Sequence, residues 1–165
     1  MSSTPTTPTW QTTAQQHRAA AAAKIPPEWL LDPQWTTNLT ETSAENVLSI
    51  PKECGILTAR ELDLTSAHDA VALLALLSSG QITSHDLTTA FCKRAAIAHQ
   101  LTTCLTETLF PAALARARAL DDHYATHGTP IGPLHGLPIS LKDSFNIAGV
   151  HTTLGYVSFI AHGPA

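Results

Sequence analysis

Charge is scarce in this chain. Of its 165 residues only nine are lysine or arginine and thirteen aspartate or glutamate, which leaves a net charge of -4. With so few cations and no basic stripe there is nothing to neutralise a run of phosphates, so a nucleic-acid partner is excluded. Cysteine is also scarce: Cys54, Cys92 and Cys104 are odd in number and contain no Cys-x-x-Cys pair. That pattern points to a reduced, cytoplasmic setting rather than a disulfide scaffold. Long hydrophobic runs are missing. The longest, Ala70 to Leu77, is far below the roughly 20 residues a bilayer requires, and Ala19 to Ala23 is too short for a signal core, so no membrane partner is expected.

What is present falls into three stretches. Residues 1–24 read as a tail, Ser-, Thr- and Pro-rich and disordered to residue 13, then alanine-rich and helix-prone until Pro26-Pro27 stops it. Residues 25–56 read as an extended arm in which Trp29, Leu30, Leu31 and Trp35 are anchors for laying the arm across a body. Residues 57–165 carry most of the periodic pattern.

Within that third stretch, helical spacing dominates. Short helices are expected at Ala44 to Leu48, just ahead of it, and at Leu57 to Leu62. Ser66 with Asp69 resembles a capping box opening a helix through Ala67, Ala70, Val71, Leu74 and Leu77, which Ser78-Ser79-Gly80 closes. Thr83 with Asp86 opens the next, whose apolar stripe runs Leu87, Phe91, Ala95, Ala98 to Leu101. Cys104 to Thr108 reads as a short strand. Pro111 suits the first turn of a third helix carrying Leu114, Ala117, Leu120 and Tyr124 on one face, with Gly128 past its end. Strands follow at Leu137 to Leu141 and around Ser144 to Ile147, and Gly149 turns the chain.

The stretch Gly132 to Gly155 is where backbone shape matters more than burial. Gly132-Pro133, Gly136 and Pro138 punctuate it, and the apolar run Leu137 to Leu141 stops at Lys142-Asp143. A free lysine, with a pKa of about 10.4, is an ammonium ion at neutral pH and accepts no proton; burial disfavours the charge and makes a lysine a usable general base. The bland counterpart is a lysine that snorkels to water and pairs with Asp143.

Gly-Pro-Leu-His-Gly-Leu-Pro-Ile-Ser-Leu-Lys-Asp-Ser-Phe-Asn, followed by Gly149-Val150, Thr152-Thr153 and Gly155, resembles the lysine segment of amidase signature enzymes, most nearly the fungal acetamidase and general amidase branch. Ile25-Pro26-Pro27-Glu28-Trp29, Ile50 to Thr58 and Ala90 to Ala95 fit the same branch, so the resemblance covers roughly residues 25–163. It implies an α/β fold, with N-terminal helices followed by the first strands of a mixed sheet. It implies that Lys142 is the catalytic lysine of a Ser-cisSer-Lys triad hydrolysing small carboxylic amides, with no metal or organic cofactor. In the family both serines lie downstream of the lysine in glycine- and serine-rich sequence, and this chain reaches Ala165 without such a segment. The expectation is therefore an N-terminal portion of an amidase, 57–165 being an incomplete part of the signature domain, inactive alone. A non-catalytic helical module or truncated pseudoenzyme, binding a full-length relative through exposed Trp29, Trp35 and an open strand edge, is the alternative. A homo-oligomer is left open.

Other residues invite sharper readings than they support. His123 and His127, four apart on a helix, have metal-ligand spacing, but no His-Glu-x-x-His pattern accompanies them. Ser78-Ser79-Gly80 reads as a helix end. Ser140 would share a strand face with Lys142, yet the spacing is not that of a Ser-x-x-Lys nucleophile. His135 is expected to shape the glycine-rich turn, and Asp143 with Ser144 to hold the turn beside Lys142. His151 departs from the aspartate often found in relatives.

Overall fold

The computed structural model describes residues 9–40 and 42–163. The segment preceding Thr9 and the terminal Ala165, both drawn on in reading the sequence, lie outside the described residues. Among the described residues seven α-helices run in order: α1 (Trp10–Ala22), α2 (Ile50–Glu53), α3 (Ala59–Ser66), α4 (Ala70–Ser78), α5 (Ser84–Thr102), α6 (Phe110–His127) and α7 (Val157–Ile160), with 3-10 turns at Pro27–Trp29 and Pro33–Trp35. They divide between two compact units, one of Pro26–Cys104 and Leu109–Ile139, the other of the residues up to Ile25, Leu105–Thr108 and those from Ser140 onward.

In the first of these units the start and stop signals explain the helices. The Thr58 hydroxyl accepts from the Glu61 N–H while the Glu61 carboxylate accepts from the Thr58 N–H, a complete capping box for α3. Asp69 caps α4 through the Ala72 N–H, and Thr83 caps α5 through the Asp86 N–H. Gly80 and Gly128, both at positive φ, end α4 and α6 as the sequence leads one to expect. Pro111 stands in the first turn of α6, where its missing N–H costs nothing.

α5 is the axis of this unit, packed by α3 and α6. Its N-terminal half carries Leu87 into a cluster with Leu64, Leu73, Leu77 and Ile82, against which Phe91 and Leu137 pack. Its C-terminal half carries Ile97 into a cluster with Leu31, Ile50 and Leu57. Of the anchors expected in the arm, Trp29 and Leu31 are buried and Leu30 is exposed: Trp29 meets Phe110 edge-on at 5.5 Å, and Gln100 of α5 accepts from the Leu31 N–H and donates to the Trp29 carbonyl, each at 2.9 Å. Trp35 is half-buried against the Ile97 cluster. Neither tryptophan is an exposed docking residue, contrary to the alternative above, because this chain supplies the body they rest on.

In the other unit α1 and α7 pack together. Glu107 forms an ion pair with Lys24 and lies 3.7 Å from the His17 ring nitrogen. His17 meets His151 edge-on at 5.6 Å.

Several local expectations fail for physical reasons. Disorder to residue 13 is wrong from Thr9 onward: Thr9 caps α1 by accepting from the Thr12 N–H. Ala44 to Leu48 is not helical. There Asn46 accepts from the Leu48 N–H in a side-chain turn, and helix begins beyond it with Pro51 in the first turn. Ser66 ends α3 rather than opening α4, since Asp69 is the stronger cap. The strands expected at Cys104 to Thr108, at Leu137 to Leu141 and around Ser144 to Ile147 do not form among the described residues, which hold no β-ladder. A strand is made by its partner's hydrogen bonds, and here the Leu137 N–H turns back to the Leu134 carbonyl and the Phe145 N–H to the Lys142 carbonyl.

Candidate active site

The glycine-rich segment ahead of Lys142 folds by seating a histidine. Leu134 is exposed, whereas His135 and Gly136 are buried. The His135 N–H closes a turn onto the Gly132 carbonyl, and its ring lies 5.9 Å from the Tyr124 ring. The Ile131 N–H donates to His135 Nδ1 at 3.2 Å, and Nε2 lies 3.5 Å from the Ser84 hydroxyl. Burial pushes the His135 imidazole below its ordinary range; Asp121 opposes this, and His123 and Arg116 reinforce it. Gly136 holds φ +76°, and a Cβ there would stand 2.4 Å from Ser84 Oγ.

Serine, histidine and aspartate therefore meet here, but not as a nucleophilic triad. The Asp121 carboxylate accepts the Ser84 N–H at 2.6 Å and the His85 N–H at 2.9 Å, so it caps α5 instead of orienting His135. Ser84 is 1% exposed, beyond the reach of substrate. The hollow beside His135, about 210 Å³, is lined by Leu74, Ala75, Ser78, Pro130, Gly132 and Pro133. It is smaller than the roughly 300 Å³ at which ligand pockets begin. The turn-shaping role read for His135 is what this geometry provides, and sequence reasoning missed its partner Ser84, 51 residues away in the chain, and the Asp121 that holds the Ser84 N–H, neither of which left a local signal.

Lys142 itself belongs to the other unit. Its side chain is exposed, and its carbonyl accepts from the Phe145 N–H at 3.0 Å in a turn through Asp143 and Ser144. Asp143 accepts from the buried Thr153 hydroxyl at 3.3 Å, and Thr152 donates to the Phe145 carbonyl at 3.2 Å. The Thr152-Thr153 pair thus ties the loop on both sides of Ser144, the kind of turn-holding expected of Asp143. Leu141 and Phe145, 50% and 58% exposed, flank the lysine with apolar surface. Ser140 is exposed and shares no strand with Lys142.

The remaining candidates reduce to structure. Ser79 ends α4, and the Ser78 carbonyl accepts from the Tyr124 hydroxyl at 3.0 Å. His123 and His127 stack at 4.2 Å, with the His127 ring nitrogen bonded to the His123 carbonyl. No group of three or more His, Cys, Asp or Glu among the described residues is placed to hold a metal ion. No helix among them is long and apolar enough to cross a membrane.

Comparison with known proteins supplies the context for this segment. The Amidase family model matches residues 86–165, which include both His135 and Lys142. An amidase of Gibberella moniliformis is 46% identical over 156 residues, and the acetamidase of Emericella nidulans 46% over 151. These alignments take in 94% and 92% of this chain but 29% and 26% of the relatives, so the chain spans little more than a quarter of their length. The solved structure of a fatty acid amide hydrolase superposes with a TM-score of 0.79 at 29% identity, over 94% of this chain and 27% of that one. Residues 86–165 thus match the Amidase family, and the chain as a whole is similar to fungal amidase and acetamidase members.

Proposed function

We propose that this chain is the N-terminal portion of an amidase that hydrolyses the C–N bond of small carboxylic amides to acid and ammonia, and that it contributes Lys142 to a Ser-cisSer-Lys triad. The observation that carries the reading is the position of Lys142 inside the family-matched residues, at the end of the Gly132 to Leu141 segment. In the whole enzyme, neutral Lys142 takes a proton from the bridging serine, which takes one from the nucleophilic serine. The serine then attacks the amide carbonyl, backbone N–H groups stabilise the oxyanion, and water releases the acid. Ammonia leaves when the acyl-enzyme forms.

A lysine works as this base only when desolvated, and the Lys142 side chain is exposed here. The reading therefore has the rest of the enzyme, including the mixed sheet, cover Lys142 and its apolar neighbours Leu141 and Phe145. Short aliphatic amides are the substrate class in keeping with acetamidase relatives. Three free thiols accord with a cytoplasmic setting.

Two experiments test the proposal. The isolated chain, assayed with acetamide and an anilide, is expected to give no turnover above buffer; turnover abolished by Lys142→Ala would contradict its dependence on the serines. Sequencing the gene past the codon for Ala165 is expected to reveal an in-frame glycine- and serine-rich segment.

A further inference from the structure

An amide N–H only donates, so His135 Nδ1, which faces the Ile131 N–H at 3.2 Å, carries no proton. Nε2 is then the protonated nitrogen, and it is the one directed at Ser84 Oγ, 3.5 Å away. Both ends of the ring are thus committed. Nδ1 fixes the start of the turn at Ile131, and Nε2 points to the first residue of α5, which Asp121 pins from behind through the Ser84 N–H. Gly136 completes the fit by bringing backbone against Ser84 and Leu77 where a Cβ would leave no room.

From these contacts we propose that His135 is a proton-operated latch for the Gly132–Gly136 turn: neutral, it holds the turn on the start of α5, and as imidazolium it releases it. Protonation places a second N–H opposite the Ile131 N–H, so the acceptor is lost and two donors face each other at a part-buried contact. The surroundings do little to compensate the new charge. α6 presents Asp121, His123, Arg116 and Tyr124; α5 presents Ser84 with His85 beside it; α4 presents Leu74, Ala75, Leu77 and Ser78. Both oxygens of Asp121, the only anion of the set, already accept backbone N–H groups of α5. Burial lowers the proton affinity of the ring, so the latch opens below the ordinary imidazole range.

The test uses the 165-residue chain and does not depend on the proposed catalysis. Long-range 15N correlation spectra at about pH 7.5, above the imidazole range, should show His135 with its proton on Nε2. Exchange of the Ile131 amide, corrected for the intrinsic effect of pH, should quicken roughly tenfold as His135 titrates, the size of one lost hydrogen bond, while amides within α5 keep their protection. In His135→Gln, Ile131 exchange should be fast and independent of that titration. An Nδ1-protonated ring in the neutral state, or Ile131 protection that persists through the titration, overturns the latch. If His135→Gln fails to fold, the two wild-type measurements decide.

Discussion

Gly136 lies so near Ser84 that a Cβ on it would stand 2.4 Å from the serine hydroxyl. The glycine also sits at φ +76°, where an L side chain costs roughly 1–2 kcal/mol, and overpacking adds about 1–3 kcal/mol. Gly136→Ala is therefore expected to lower unfolding stability by about 2–5 kcal/mol in a denaturant titration. Gly128→Ala, also at positive φ but with open space around it, should cost only the backbone part.

The Asp121 carboxylate caps α5 from another helix, accepting two of its first N–H groups. Asp121→Ala should cost about 1–2 kcal/mol by leaving those donors unmade and removing a negative charge from the helix N-terminus. Asp121→Asn should recover part of the loss, because one side-chain oxygen still accepts. Thermal unfolding of the two variants distinguishes these contributions.

Gln100 joins the arm to α5 with one accepted and one donated bond. Gln100→Ala is expected to cost about 1–3 kcal/mol, two modest hydrogen bonds at a half-buried position. The loss should be local, seen as a red shift of Trp29 fluorescence before global unfolding.

Much of this architecture is legible from sequence because it is local. The Thr83 cap, the glycine ends of α4 and α6 and Pro111 in the first turn of α6 all follow from residues within a few positions of one another, and the tryptophan anchors are marked by their apolar bulk alone. The seat of His135 is not legible, since Ser84 reaches it from α5 and is itself held by Asp121 of α6. The strand expected at Leu137 to Leu141 fails for the same reason: apolar composition marks a segment for burial, but a ladder depends on a partner that composition does not name. The boundary between α3 and α4 turns on competition between Ser66 and Asp69, which side-chain position alone resolves. For Lys142 the sequence supplies the residue and its family, not the surroundings that would make it a base.

Stability should fall on the acid side in two stages. Burial lowers the proton affinity of His135 and His99 below the unfolded imidazole value of about 6.5. The unfolded chain then binds more protons than the folded one, so their contribution is fully present above about pH 6.5 and declines as pH falls below it. Glu61 follows: burial raises its pKa, but the Lys93 ammonium 2.7 Å away and the Thr58 bonds outweigh this and hold it below its ordinary value. Its contribution is present above about pH 4.5 and is lost as pH falls through the lowered value. Urea midpoints measured from about pH 8 to about pH 3 check both stages, and His135→Gln should blunt the first.

The role of Lys142 is tested most directly by grafting this chain in place of the matching stretch of the Emericella nidulans acetamidase and measuring acetamide hydrolysis by the folded graft. With Lys142 present, turnover should approach that of the parent enzyme, and Lys142→Ala should reduce kcat by at least about 10²–10⁴-fold, the range for loss of a general base. Equal turnover by the folded graft carrying Lys142 and the folded graft carrying Lys142→Ala would contradict the assignment.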